Sequence, residues 1–129
     1  MNKKNLVAII VLNFDKKNDI LECLNSIFKM DYREYEVIVV DNGSSDGSVE
    51  EISAEFPTIH LIKNKTNLGA GPGRNSGWYF AEKNIDCEYL LFLDNDVVIS
   101  KNYVTKLVSF LNNNPGVGIA CGKAYTNKK

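Results

Sequence analysis

The sequence predicts a doubly wound α/β domain in which a mainly parallel sheet carries helices on both faces. Two observations predict this fold. Apolar runs of strand length alternate with amphipathic stretches of helix length, and only short polar segments connect them. The composition agrees, because a chain of 129 residues with 44% apolar and 24% charged residues is typical of one soluble globular domain. We therefore expect a single domain over residues 1–129.

The first strand and the first helix have the clearest patterns. Residues 6–12 form a continuous apolar run rich in β-branched side chains, which is typical of a strand buried on both faces of a parallel sheet. Apolar residues then recur on one helical face and predict a helix over about residues 17–30. A second buried strand covers residues 37–40 and ends at Asp41.

A turn cluster and a short helix follow the second strand. Residues 42–48 consist of Asn, Gly, Ser and Asp, which are turn-forming residues. Ser48 and Glu51 have the spacing of a capping box at a helix start, and Pro57 ends that helix. Residues 59–62 predict the third strand.

The second half of the sequence continues the alternation. A glycine-rich loop over residues 67–75 precedes a helix that runs to about Asn84. Residues 88–93 predict a fourth strand, and the apolar spacing over residues 104–111 predicts a further helix. Residues 117–121 are a candidate fifth strand.

Charge, length and cysteine usage exclude several classes of protein. The net charge is −1, so no basic stripe indicates a nucleic-acid partner. The longest apolar run, residues 6–12, is far shorter than the ~20 residues that cross a bilayer, so we expect no transmembrane segment. Cys23, Cys87 and Cys121 are dispersed, which favours reduced, buried thiols in the cytoplasm over disulfides. With His60 as the single histidine, a zinc site is not expected.

Three predicted strands end in polar residues that a parallel sheet would bring to one edge. The first ends at Asn13 and Phe14, the second at Asp41 and the fourth at Asp94-Asn95-Asp96. Ligands bind at this edge in doubly wound sheets. Clustered carboxylates such as Asp94 and Asp96 recruit a divalent cation, Mn²⁺ or Mg²⁺. The alternative for this pair is a solvated turn after the strand.

Other residues at this edge each allow two interpretations. Asp41 either forms a turn or accepts hydrogen bonds from a ligand. Phe14 either packs at the core edge or stacks on a planar base. Pro72 suits a first helical position, which would place Arg74 in the first turn of the helix, where a cation is unfavourable beside the helix dipole; Arg74 is then either an exposed side chain or a ligand contact. The glycines of residues 69–73 match neither a P-loop nor a dinucleotide fingerprint. Of the three aromatic residues 78–80, we expect at least two in the core.

Four segments, in matching order and spacing, resemble family 2 glycosyltransferases, a large group with the GT-A fold. They are Leu12-Asn13-Phe14, the VVDNGSSDGS of residues 39–48, the NKTNLG of residues 64–69 with the RNSG of residues 74–77, and the LFLDND of residues 91–96. The last looks like the family's DxD motif at a strand end. The resemblance spans nearly the whole chain and is to the N-terminal, nucleotide-sugar-binding part of these enzymes.

The resemblance implies a role for each matching residue. The positions matching Asp41, Phe14 and Arg74 lie near the nucleotide base or ribose, the position matching Asp94 lies by the ribose, and the position matching Asp96 ligates the metal. The expected nucleotide-binding residues are therefore Asn13, Phe14, Asp41, Arg74 and Asp94, with Asp96 as the metal ligand. Many members carry a second Asp where this chain has Asn42, which weakens any role expected for that position.

The resemblance also implies a reaction and a place for it. We expect transfer, with inversion, of a sugar from a UDP- or dTDP-linked donor to a saccharide or lipid-linked acceptor hydroxyl in cell-surface polysaccharide biosynthesis. Family members supply a carboxylate base from a later, acceptor-binding half, whereas residues 97–129 contain five lysines and no carboxylate. The chain therefore resembles the donor half, truncated before the acceptor half and inactive alone. We expect it in the cytoplasm, with the full-length protein at the inner membrane face.

Three alternatives remain at this stage. The first is a nucleotide-binding or interaction domain without catalysis, which metal-dependent binding of a nucleoside diphosphate would distinguish from a plain interaction module. A phosphatase that uses the first Asp of a strand-DxDxV motif as nucleophile would fit residues 90–98, but it needs acidic metal ligands further along the chain. A receiver domain needs an acidic pair after the first strand, where this sequence has Asn13 and Phe14.

Overall fold

The computed structural model describes residues 5–126 and confirms the doubly wound α/β fold. Four strands and four helices alternate along the chain. They are β1 (Val7–Asn13), α1 (Lys17–Phe28), β2 (Tyr35–Asp41), α2 (Ser48–Glu55), β3 (His60–Lys63), α3 (Ala70–Asn84), β4 (Tyr89–Asp94) and α4 (Tyr103–Asn113). The strands form one sheet in the order β3-β2-β1-β4, and every pair is parallel. No helix in the described part of the chain is both long and apolar enough to cross a membrane.

The register of the sheet brings the polar strand ends together. The strand β1 lies between β2 and β4, with Asn13 opposite Asp41 on one side and Leu12 opposite Asp94 on the other. All three strands run in the same direction, so their carboxyl ends lie at one edge. The sequence predicted this edge correctly.

Both faces of the sheet are covered, which explains the continuous apolar runs in β1 and β2. Alternate residues of β1 and β2 pack on one face against α1, α2 and α4. The intervening residues, among them Ala8, Ile10, Ile38 and Val40, pack on the other face against α3. A strand covered on both faces buries every side chain, so its sequence shows no polar alternation.

Helix α3 approaches the sheet closely because small residues line its buried side. Its buried residues are Gly73, Gly77 and Ala81, spaced four residues apart. A Cβ added at Gly77 would lie 2.5 Å from Cγ2 of Ile10, and one at Gly73 would lie 2.6 Å from Cδ1 of Leu12. A larger side chain at either position would force a neighbouring side chain or the helix itself to move.

This packing corrects the prediction for the glycine-rich segment. The predicted loop over residues 67–75 ends early, because α3 already begins at Ala70. The prediction followed the turn preference of glycine, whereas the glycines here allow close contact with β1 and β2. Arg74 is consequently the fifth helical residue and lies beyond the first turn.

Two further local predictions were wrong. Residues 117–121 form no strand, and Ile119 is 91% exposed. An apolar run becomes a strand only when it pairs with a neighbouring strand, and among the described strands β4 pairs with β1 alone. The capping box is absent, because Gly47 is the N-cap of α2, with φ of 85°, and Ser48 is already helical.

Two predictions about burial also need correction. Trp78 and Tyr79 are exposed and contact one another, with ring centroids 4.8 Å apart, so only Phe80 packs against the core. Cys23 is buried as expected, whereas Cys87 is only partly buried and Cys121 is exposed. All three thiols are free, as predicted.

Candidate functional site

A cleft of about 370 Å³ opens at the carboxyl edge of the sheet, beside the start of α3. The side chains that give it chemical character are those of Phe14, Lys16, Arg74, Asp94, Asn95 and Asp96. Three of its walls come from the loops after β1 and β4 and the segment that leads into α3. The cleft therefore lies where ligands bind in doubly wound sheets.

Beside the cleft lies a buried or partly buried polar cluster, which we call the floor, made of Asn13, Asp41, Asn42 and Ser44. The carboxylate of Asp41 is fully occupied by hydrogen bonds within the protein. Oδ1 accepts hydrogen bonds from Nδ2 of Asn13 at 3.1 Å and from the hydroxyl of Ser44 at 2.6 Å. Oδ2 accepts from the backbone N–H groups of Gly43 at 3.2 Å and Ser44 at 2.8 Å. Asp41 thus shapes the turn after β2, one of the two roles the sequence allowed, and its contact with a nucleotide stays a prediction.

Asn13 joins the ends of three strands. It is fully buried, and its Nδ2 also lies 3.4 Å from the hydroxyl of Ser44. Its Oδ1 accepts from Nδ2 of Asn95 at 3.0 Å, so one side chain connects the Asp41 carboxylate to the middle of the Asp94-Asn95-Asp96 turn. The amide makes contacts on both sides within the protein, which fixes its orientation.

Asn42 organises the segment that leads into α3, although the sequence analysis expected little from it. Its Nδ2 donates to Oδ1 of Asn67 at 3.2 Å and to the carbonyl of Gly69 at 3.1 Å. Its Oδ1 accepts from Nδ2 of Asn64 at 2.9 Å. Asn67 in turn accepts from the N–H of Gly69 at 2.9 Å. The three asparagines were visible in the sequence, but only the fold brings them together.

A carboxylate also connects the starts of α1 and α2. Oδ2 of Asp46 accepts from the N–H of Lys17 at 2.9 Å, and Oδ1 accepts from the N–H of Ser48 at 3.0 Å and from its hydroxyl. Partial burial opposes ionisation, but these hydrogen bonds outweigh it and lower the pKa of Asp46 below its usual value. A second carboxylate joins the same two loops from the other side of the contact: Oδ1 of Asp15, which follows β1, accepts from the N–H of Ser45, which follows β2, at 2.7 Å. The backbone of Asp15 adopts a left-handed φ of 47°.

At the open side of the cleft, an ion pair joins α3 to β4. Nη2 of Arg74 donates to Oδ1 of Asp94 at 2.6 Å. The side chains are 39% and 62% exposed, so both groups remain in contact with solvent. Exposed pairs of this kind contribute only about 0.2–1 kcal/mol to stability. The contact therefore places two charged groups at the cleft without holding the fold together.

Asp96 differs from Asp41 and Asp94, whose carboxylates have partners within the protein. Its side chain is exposed and makes no hydrogen bond or ion pair within residues 5–126. It lies in a turn in which the N–H of Val97 donates to the carbonyl of Asp94 at 3.2 Å. A carboxylate without a protein partner in a cleft is available to a cation or a ligand.

The oxygen donors at this turn fit a divalent cation that shares its ligands with a substrate. Carboxylates are the ligands that Mg²⁺ and Mn²⁺ prefer, and Mg²⁺ is often held by one or two of them together with substrate phosphates. No group of three or more His, Cys, Asp or Glu side chains in the described chain forms an all-protein cage. The residues present therefore fit a cation held partly by its ligand.

Cys23 supports the turn from beneath. Its thiol lies 3.7 Å from the carbonyl oxygen of Asp94 and acts as a weak donor. Burial, with smaller contributions from the negative charges of Asp96 and Asp94, raises the pKa of Cys23 to about 12. The thiol therefore stays protonated at neutral pH and keeps its proton for this contact.

The structure thus brings together all six residues that the sequence singled out. Asn13 and Asp41 are buried in the floor, whereas Phe14, Arg74, Asp94 and Asp96 are exposed or half-exposed around the cleft. The ring of Phe14 is 43% exposed, so it does not pack into the core. Lys16, which the sequence analysis missed, adds a positive charge to the lining.

Comparison with known proteins places this geometry in context. The model of the family described as Glycosyl transferase family 2 matches residues 8–129. An uncharacterized glycosyltransferase of Haemophilus influenzae is 31% identical over 112 residues, which cover 87% of this chain and 36% of that protein. An N-acetylglucosaminyltransferase of Bradyrhizobium elkanii is 33% identical over 129 residues, which cover 95% of this chain and 68% of that protein.

Solved structures share the fold. The crystal structure of S. aureus TarS 1–349 in complex with UDP-GlcNAc matches with a TM-score of 0.74 and 29% sequence identity. The match covers 85% of this chain and 32% of that one. This chain therefore spans about a third of the length of both TarS 1–349 and the Haemophilus relative.

Proposed function

This chain belongs to glycosyl transferase family 2, and from that premise we propose that its cleft binds the nucleoside diphosphate of an activated sugar donor. One observation carries the proposal. The exposed ring of Phe14, the Arg74–Asp94 pair and the unpartnered carboxylate of Asp96 surround one cleft at the carboxyl edge of the sheet. An aromatic face, hydrogen-bonding charges and a cation ligand are what a nucleoside diphosphate requires.

We assign each group a part of the donor. Phe14 and Arg74 hold the base, Asp94 accepts from the ribose hydroxyls, and Lys16 faces the diphosphate. Asn13 and Asp41 act from the floor, where they fix the loops that carry these groups. UDP is our first choice of nucleotide, because TarS was crystallised with UDP-GlcNAc, and dTDP is the second.

Asp96 would hold a divalent cation, Mn²⁺ or Mg²⁺, at the diphosphate. When bound, the cation supplies positive charge that offsets the negative charge developing on the departing nucleoside diphosphate. The pair of carboxylates and the shared ligands of the nucleotide suit either ion.

For the whole reaction we propose transfer of the sugar, with inversion, to a hydroxyl of a saccharide or lipid-linked acceptor. Inversion needs a base that takes the proton of that hydroxyl, and no carboxylate follows Asp96 in this sequence. We therefore expect this chain by itself to bind the donor nucleotide and to transfer sugar poorly. Fast transfer to an added acceptor by these 129 residues would overturn that expectation.

Thermal unfolding with UDP, with and without Mn²⁺, tests the donor site. A ligand at 100 times its Kd adds about 2.7 kcal/mol of stability, which is about 10 °C in Tm for a domain of this size. We expect such a shift for the wild type with both ligands and its loss in Asp96→Ala. The matched control is Asp86→Ala, an exposed aspartate that precedes β4 at the opposite edge of the sheet.

The outcomes separate the alternatives. A Mn²⁺-dependent shift that only Asp96→Ala removes supports the donor site. A shift with dTDP and none with UDP changes the nucleotide and keeps the site. If none of the nucleotides shifts the wild type, the cleft does not bind a donor in this chain, and an interaction domain without nucleotide becomes the better description.

A further inference from the structure

The middle residue of the Asp94-Asn95-Asp96 turn lines the cleft and also bonds to a buried side chain beside it. Asn95 is partly buried, whereas Asp94 and Asp96 on either side are exposed. Its Nδ2 donates to Oδ1 of Asn13 at 3.0 Å, a contact between residues 82 positions apart in the sequence. The turn is therefore tied to the floor through its central side chain, with one carboxylate on each side of the attachment.

The charge of Asp41 fixes which atom Asn13 offers to Asn95. Nδ2 of Asn13 donates to the carboxylate of Asp41 at 3.1 Å, so its Oδ1 faces Asn95. Reversing the amide of Asn13 would point its carbonyl at a carboxylate and its NH₂ at the NH₂ of Asn95, and both contacts would become repulsive. The observed chain of hydrogen bonds, from Asn95 to Asn13 and from Asn13 to Asp41, therefore satisfies both amides and the carboxylate.

The backbone of the turn is held separately from its central side chain. The carbonyl of Asp94 accepts from the N–H of Val97 at 3.2 Å and faces the Cys23 thiol at 3.7 Å. Beyond the turn, the N–H of Ile99 donates to the hydroxyl of Ser26 at 3.2 Å. None of these contacts involves the side chain of Asn95, so we expect the turn and the fold to persist in Asn95→Ala.

We propose that Asn95 is a positioning residue that, through Asn13 and Asp41, aligns the Asp94 and Asp96 carboxylates and so couples cation binding to nucleotide binding in the cleft. The inference rests on the proposed function, because it assigns the cation to Asp96 and the nucleotide to the same cleft. Groups that orient ligands of a metal ion commonly change its affinity by 10- to 100-fold. Because Asn95 bonds to Asn13 through a neutral amide and adds no charge to the cleft, its proposed effect is on the orientation of the neighbouring carboxylates.

Calorimetric titration of UDP, with and without Mn²⁺, tests the inference on the wild type, Asn95→Ala and a control, Asn25→Ala. Asn25 is an exposed asparagine on α1 whose side chain makes no hydrogen bond in the described chain. In the wild type we expect Mn²⁺ to lower the Kd of UDP. In Asn95→Ala we expect the Mn²⁺ enhancement to fall by about tenfold, a larger change than that in the Kd of UDP without metal. Asn25→Ala should match the wild type.

The possible results distinguish the role proposed for Asn95 from the proposed nucleotide site itself. If the wild type and Asn95→Ala show the same Mn²⁺ enhancement, Asn95 does not position the carboxylates, and the donor site itself stands. If Asn95→Ala weakens UDP equally with and without metal, its role is merely structural and the inference fails. If the wild type binds no UDP under either condition, the proposed function fails, and the coupling fails with it.

Discussion

The floor and the rim of the cleft both carry aspartates, but in different environments. The floor, made of Asn13, Asp41, Asn42 and Ser44, is buried or partly buried and joined by hydrogen bonds within the protein. The rim, made of Phe14, Arg74, Asp94 and Asp96, is exposed or half-exposed, and within residues 5–126 the Arg74–Asp94 pair is the only hydrogen bond or ion pair between its side chains. Polar groups in the floor are satisfied by the fold, whereas those in the rim are left for something else to satisfy. We therefore expect substitutions in the floor to change the stability of the fold and substitutions in the rim to change ligand binding.

The largest effect tests the floor. Asp41→Ala leaves the amide of Asn13 and the N–H groups of Gly43 and Ser44 without their acceptor. Buried donors that lose a charged partner cost roughly 1–3 kcal/mol or more, so we expect a loss of about 3 kcal/mol in the free energy of unfolding. Urea denaturation measures it, with the exposed Asp86→Ala as control. A loss no larger than that of the control would remove the distinction between floor and rim.

A second prediction concerns the helix that carries Arg74 to the rim. Gly77→Ala places a Cβ 2.5 Å from Ile10, and overpacking of this kind costs about 1–3 kcal/mol. Gly71→Ala is the matched control in the same helix, because nothing lies within 4 Å of its added Cβ. We expect the control to be neutral or slightly stabilising in urea denaturation. Equal effects at both positions would show that close packing of α3 is unimportant.

A third prediction tests the rim directly. Arg74→Ala removes an exposed ion pair, so the free energy of unfolding should change by less than about 1 kcal/mol. The Kd of UDP should rise about tenfold, which corresponds to about 1.4 kcal/mol of binding. Titration calorimetry and urea denaturation of the same sample separate the two quantities. Unchanged UDP affinity, or a stability loss as large as that of Asp41→Ala, would contradict the assignment of Arg74 to the rim.

The smallest expected effect is a pH dependence outside both regions. The pKa of Asp46 is lowered in the folded chain, so its stabilising contribution is complete above the unfolded value of 3.8 and is lost as the pH falls through the lower, folded value. Asp46→Asn should therefore lose less stability than the wild type between about pH 5 and pH 2. Thermal unfolding across that range measures the difference. A steeper acid loss in the variant would show that the sign is wrong.

The sequence predicted the parts of the molecule that local pattern determines. The apolar runs located all four strands, although β2 begins at Tyr35, before its most apolar stretch. The parallel topology then predicted that Asn13, Asp41 and Asp94 meet at one edge, which the register confirms. These predictions succeeded because burial on both faces leaves a continuous signal in the sequence.

The parts that were missed depend on contacts between distant residues. Gly73 was assigned to a loop, and the close approach of Gly77 to the sheet was not predicted, because only the positions of Ile10 and Leu12 show why a helix needs glycine there. Asn42 and Asn95 were given little weight, because an asparagine in a turn has the same local preference whether or not its side chain joins a network. Residues 117–121 carry the apolar pattern of a strand, but pairing depends on a neighbour that the pattern does not specify.

The hydrogen bond between Asn13 and Asn95 also sets an order of events during synthesis. The central strand β1 is made first, yet the residue that completes its polar end follows 82 positions later. At roughly 5–20 residues per second, a ribosome needs about 4–16 s to cover that interval. During that time one edge of β1 has no β4 to pair with, and unpaired strand edges are where nascent chains associate wrongly. The polar end of β1 is therefore completed only after β4 has been made, and slower translation between the two asparagines lengthens the time during which that edge of β1 is unpaired.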